Sequence, residues 1–124
     1  FIDRPLYSSL KLECIKESDI NIAVYYKKSS SNTLGQTYMK RTGEYSVVCA
    51  ILNMWLTARA LNIGMGWVSI LKPKKINKIF NMNKNQYKFI AYLCLGYTKE
   101  FYDEPELKKL KWNKKLKLDE CLIS

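Results

Sequence analysis

From Tyr45 to Leu71 the chain reads YSVVCAILNMWLTARALNIGMGWVSIL, with apolar residues on every side of a helical projection instead of along one stripe. This pattern predicts a long helix from Glu44 to about Leu61 that needs packing partners all round. Asn62-Ile63-Gly64 is the predicted stop, because Asn and Gly tolerate the left-handed backbone of a helix end. A Gly-Met-Gly-Trp turn then leads into a short extended piece, Trp67 to Leu71. Two other runs, Ile20 to Tyr26 (INIAVYY) and Phe89 to Leu95 (FIAYLCL), are β-branched and aromatic with almost no charge, and read as buried strands.

Weaker signals fill the gaps. Leu6 to Lys16 is a short amphipathic segment broken by Ser18-Asp19, and Lys27 to Gly35 is a polar loop. Pro73 opens a short basic helix, Lys74 to Phe80, since proline suits a first helical turn. Asn81 to Gln86 is a turn, and a short helix is expected near Pro105 to Leu110. Two strong strands and one helix apolar on all faces do not make a comfortable stand-alone core. Further cover is expected from a longer chain, a second subunit, or both.

Composition narrows the chemistry. The chain has 124 residues, 48% of them hydrophobic, which suits one small domain with a core. Asn53 and Arg59 interrupt the best candidate for a membrane span, so a protein off the membrane and in the cytoplasm is expected. The first residues, Phe-Ile-Asp-Arg-Pro, show neither an initiator Met nor a signal-peptide pattern, and the natural start is expected upstream. Cys14, Cys49, Cys94 and Cys121 are widely spread with no C-x-x-C pair, which favours reduced, structural thiols and no metal site. Cys49 and Cys94 sit in apolar runs, where a thiol behaves as a small hydrophobe.

There is no histidine, which removes the commonest base near neutral pH and excludes Ser-His and Cys-His nucleophile pairs. Any catalysis must then lean on a cofactor for the difficult chemistry. The formal net charge is +10. Aromatics are not interleaved with the lysines as a stacking platform requires, so solvated basic faces are expected and nucleic acid is not a predicted partner.

Several separated pieces carry a resemblance. Leu10-Lys11-Leu12-Glu13-Cys14-Ile15-Lys16-Glu17 looks like an LKLEGIRE block, with Cys14 in place of glycine. Tyr45-Ser46, Cys49-Ala50, Asn53, Trp55-Leu56 and Ala58-Arg59-Ala60 follow a central helix. Gly64 and Gly66-Trp67-Val68-Ser69-Ile70-Leu71 match a flavin-edge loop. Leu93-Cys94-Leu95-Gly96-Tyr97 resembles a strand end, and Pro105-Glu106-Leu107 with Trp112 a tail. Together they resemble the nitroreductase-like flavoprotein superfamily, and within it the BluB branch, the 5,6-dimethylbenzimidazole synthases.

That resemblance implies an α+β, nitroreductase-like fold: a mostly antiparallel sheet flanked by helices, in intertwined homodimers that hold FMN at the subunit interface. It spans residues 1–124 as the C-terminal portion of one such domain, an incomplete half of the fold. The Arg-rich element that clamps the FMN phosphate in the family, and an acidic residue beside the flavin, belong to the part upstream. The implied reaction is the oxygen-dependent conversion of reduced FMN to 5,6-dimethylbenzimidazole for the lower ligand of cobalamin. The alternatives are an NAD(P)H-dependent nitroreductase-type flavoenzyme and a non-catalytic remnant of either.

By the same resemblance, Ser69 is the catalytic candidate, its hydroxyl placed near the isoalloxazine ring. Gly64, Gly66 and Val68 belong to the loop at the ring edge, where glycine permits close backbone approach. The two glycines also suit a plain helix cap. Trp67 either walls the flavin or fills the core. Leu10, Lys11 and Leu12 match a pocket-lining block, with Lys11 toward the N1/O2 edge or simply exposed. Lys115 stands where the family carries an arginine for the phosphate; Lys offers a point charge in place of a bidentate fork. Asn53 and Arg59 are expected to satisfy backbone or interface groups.

Overall fold

The computed structural model describes residues 14–29, 33–109, 111 and 116–122; the candidates Leu10, Lys11, Leu12 and Lys115 lie outside the described residues. Cys14 to Glu17 form one helical turn, followed by β1 (Ile20–Lys27), α1 (Thr42–Ala60) and β2 (Ile63–Val68). Then come α2 (Pro73–Ile79), β3 (Tyr87–Tyr97), α3 (Glu106–Lys109) and a 3₁₀ turn at Leu118–Glu120. The strands form an antiparallel sheet in the order β1-β3-β2. The expected α+β architecture is present, with one more strand than the two strong apolar runs announced.

The most apolar strand lies in the middle. β3 is 11 residues long, and its Ala91, Leu93 and Cys94 are buried. Val24 pairs with Ala91 but Tyr25 with Phe89, so Ile90 is an extra residue in β3 and the pair is kinked there. Side chains alternate across a strand, so Leu93 and Ala91 share one face while Cys94 and Tyr92 take the other. On the first face, Ile51 of α1 packs with Ala91 and Leu93 to form the core. Ile22, Val24, Val47, Met54, Met65, Trp67, Ile90 and Leu95 surround it.

The long helix departs from expectation in an informative way. It begins at Thr42, two residues early, where the Thr42 hydroxyl donates to the Met39 carbonyl at 3.1 Å. Its stripe of Val47, Ile51, Met54 and Ala58 recurs every three to four residues and meets the sheet. Only Ile51 and Ala58 are buried. The opposite face, with Tyr45, Val48, Leu52, Trp55 and Leu56, is exposed, Leu52 at 57% and Leu56 at 63%. The helix is therefore covered on one side here, because a single sheet can cover only one side of a cylinder.

After α1 the helix stop falls where expected, and only the turn that follows it needs correcting. The left-handed residue is Asn62, at φ 58°, so the reversal is complete before the glycines. Gly64-Met65-Gly66-Trp67 is not a turn but the body of β2, with Gly64 opposite Gly96 and Gly66 opposite Cys94. The predicted extended piece thus starts four residues earlier and ends at Val68, leaving Ser69 to Leu71 irregular. Cys49, expected inside, is exposed on the outer side of α1, and all four cysteines are free thiols.

Candidate functional site

Residues 69–72 link an edge strand to a helix, and their sequence explains why they stand clear. Val68 makes the last pairing of β2, with Tyr92. Pro73 occupies the first turn of α2, its fixed φ suited to that position, and the preceding Lys72 is extended at φ −85°, ψ 109°. The Lys72 carbonyl accepts from the amides of Lys75 and Ile76 at 2.9 and 3.3 Å, which anchors the helix start. Ile76 is buried and seats α2, while Lys74, Lys75 and Lys78 face outward. Ser69 and Ile70 are exposed. The amides of Ile70 and Leu71 make no main-chain hydrogen bond among the described residues.

Charge along this part of the sequence has one sign. From Tyr45 to Lys99 the sequence holds Arg59 and seven lysines, and no Asp or Glu. Trp67 points to the α1 side of the sheet and packs against the core, away from Gly64 and Gly66 on the other face. Of the candidates, Gly64, Gly66 and Val68 share the face opposite α1, and Ser69 follows directly.

The glycines of that second face are explained by the chain itself. A Cβ on Gly66 would lie 2.9 Å from Cys14 Sγ, and one on Gly96 3.2 Å from Asp19 Oδ2. A Cβ on Gly64 would collide with the Thr98 methyl. The missing side chains at Gly66 and Gly96 let residues 14–19 lie against the sheet, and that at Gly64 makes room for Thr98. Asn21 secures this arrangement, donating to the Ile15 carbonyl at 3.4 Å and accepting from the Cys94 thiol at 3.2 Å. Burial, with the neighbouring Cys94 thiol adding to it, pushes Cys14 up to about 12. It therefore stays a thiol at neutral pH.

Other polar groups hold elements in place. Glu44 at the start of α1 meets Lys88 of β3 at 2.6 Å and Arg41 at 3.7 Å, and the Lys88 hydrogen bond holds its carboxyl below the usual range. Arg59 lies 3.7 Å over the Phe101 ring, tying the end of α1 to the segment after β3; Asn53 contributes its carbonyl to the Thr57 hydroxyl. Sequence reasoning missed the Glu44–Lys88 pair and the Cys14–Cys94 proximity, since 44 and 80 residues separate the partners. A cavity of about 320 Å³, lined by Glu100 to Glu104 and Lys109, contains none of the candidates.

The fold is that of a known class. The Nitroreductase family pattern matches residues 6–97, and the chain belongs to that family. It is 40% identical over 108 residues to a 5,6-dimethylbenzimidazole synthase of Rhodospirillum rubrum, covering 86% of this chain and 51% of the relative. A 5,6-dimethylbenzimidazole synthase of Rhodobacter capsulatus is 34% identical over 112 residues, covering 89% and 54%. The chain spans about half the length of the curated relatives it matches. Among solved structures, a Desulfovibrio desulfuricans protein assigned as a nitroreductase, in complex with FMN, superposes with TM-score 0.58 at 16% identity. The match covers 93% of this chain and 69% of that one. No helix among the described residues is long and apolar enough to cross a membrane.

Proposed function

We infer that this chain supplies one side of an FMN site in a BluB-type 5,6-dimethylbenzimidazole synthase, as the C-terminal portion of a single domain. The observation that carries the reading is the 40% identity to a protein of that name across 86% of the chain. The donor set at the end of β2 fits the polar edge of an isoalloxazine: an exposed hydroxyl at Ser69, amides of Ile70 and Leu71 without main-chain partners among the described residues, and Lys72 next in sequence. Bound reduced FMN supplies the electrons for dioxygen and, in this reaction, the carbon skeleton of the product.

The chain's own residues have limited tasks in this reading. The Ser69 hydroxyl donates or accepts a hydrogen bond at the ring edge and orients what approaches it. The free amides stabilise negative charge that collects at a flavin heteroatom. Lys72, and by family resemblance Lys11 and Lys115, draw the phosphate and the reduced ring by charge. A second copy covers the outer face of α1, burying Leu52, Trp55 and Leu56 and excluding water from the ring.

The test follows the fate of reduced flavin. Purified protein is mixed with FMN, reduced, and exposed to air, with mass spectrometry of the products. Formation of 5,6-dimethylbenzimidazole with loss of the flavin spectrum supports the reading. Quantitative return of oxidised FMN, with NAD(P)H-driven turnover of a nitroaromatic, favours the nitroreductase alternative that the FMN-bound structural neighbour motivates. Absence of stoichiometric FMN uptake overturns both and leaves the non-catalytic remnant.

A further inference from the structure

Among the nucleophilic groups that the proposed chemistry leaves unused, the half-buried Cys14 and the buried Cys94 stand together on the sheet face away from α1. Cys94 is 2% exposed, in the central strand, directly opposite Gly66 of β2. Cys14 Sγ fills the space above that same glycine, 2.9 Å from where its Cβ would be. Residues opposite each other in antiparallel strands carry their Cβ positions about 5 Å apart. Both sulfurs therefore sit over one pair of the ladder. Asn21, on the other side of Cys94, accepts from its thiol and donates to Ile15, next to Cys14. The two thiols are 80 residues apart in sequence and are held in one small network.

We propose that Cys14 and Cys94 form an oxidation-sensitive dithiol site, closing to an intramolecular disulfide that locks the N-terminal helical turn onto the sheet. The co-reactant is hydrogen peroxide. The sulfur of Cys14, the more exposed of the two, attacks a peroxide oxygen; the O–O bond breaks, the thiol proton leaves in one water, and Cys14 becomes a sulfenic acid. The sulfur of Cys94 then attacks the Cys14 sulfur; the S–O bond breaks, and the Cys94 proton leaves with the hydroxyl as a second water. Two electrons pass from the two sulfurs to one peroxide. Burial holds the Cys14 thiol well above the usual thiol range, so the site responds to sustained peroxide and not to brief exposure. Cys49 and Cys121 are exposed and have no such neighbour among the described residues.

The consequence is mechanical. The cross-link ties the helical turn at residues 14–17, one residue after the Leu10-Lys11-Leu12 block in sequence, to the central strand. It closes a loop of about 80 residues, so it restricts the unfolded chain strongly.

The experiment uses a Cys49→Ser/Cys121→Ser background, both positions being exposed and removable without loss of packing. After hydrogen peroxide, the protein is alkylated under denaturing conditions and digested with trypsin. The expected product joins peptides 12–16 and 89–99, two hydrogens lighter than their sum, in a monomer. Its Tm rises by roughly 10 °C and returns on reduction with dithiothreitol. Recovery of both peptides fully alkylated, or carrying separate sulfinic acids, overturns the proposal. So does a Tm rise that persists when Cys14→Ser is added. The readout does not depend on flavin binding, so it stands or falls apart from the proposed reaction.

Discussion

The two faces of α1 are built from the same kinds of residue and meet opposite fates. The inner stripe of Val47, Ile51, Met54 and Ala58 closes on the sheet, with Ile51 and Leu93 almost wholly excluded from water. The outer set of Tyr45, Val48, Leu52, Trp55 and Leu56 is just as apolar and faces solvent. Such a contiguous apolar surface is unusual on a protein that works alone. The difference shows that one sheet covers only one side of a helix that is apolar all round, and the outer side is where the proposed second copy would sit.

The comparison breaks most sharply at the inner face. Ile51→Ala removes a fully buried side chain from the centre of the core and should cost about 3 kcal/mol, read as a large fall in Tm or denaturant midpoint. If the outer face is the site of a second copy, Leu52→Asp or Leu56→Asp should abolish self-association in sedimentation. Secondary structure should be unchanged, and isolated-chain stability should alter by no more than about 0.5 kcal/mol. A loss of stability as great as that of Ile51→Ala would erase the distinction between the faces.

Smaller effects sharpen the picture. Gly66→Ala places a Cβ against Cys14 Sγ and should cost about 1 kcal/mol, partly recovered by adding Cys14→Gly. That rescue identifies the glycine as room for the chain's own N-terminal turn. Ser69→Ala should leave Tm unchanged, because the side chain is exposed, while lowering product formation from reduced FMN at least ~10-fold. The smallest effect belongs to Glu44. Its carboxyl is held low in the folded state by Lys88, so its contribution is present above the ordinary carboxylate range and is lost as pH falls through the lowered value. Lys88→Met should therefore narrow the stability gap between pH 7 and pH 3.

The legible parts of the fold were those with strong local signals. INIAVYY and FIAYLCL are strands within two residues at each end, and Pro73 begins its helix as its fixed φ requires. β2 was read late because Gly-Met-Gly carries no strand propensity of its own; pairing with Gly96 and Cys94 makes it extended. At the candidate site, the sequence pointed to the stretch from Gly64 to Ser69 but could not divide it. Trp67 went to the core and the glycines to the opposite face because side chains alternate along a strand.

What the sequence determined by itself is a one-signed, apolar middle segment with no histidine and no carboxylate between Tyr45 and Lys99. That removes histidine and carboxylate acid–base chemistry from this segment, and it needs no coordinates to state. Which face of α1 is covered, why three glycines line one side of the sheet, and that Cys14 meets Cys94 were decided only by the tertiary structure. Each depends on contacts between residues tens of positions apart, and local sequence carries no record of such distances until the strands pair.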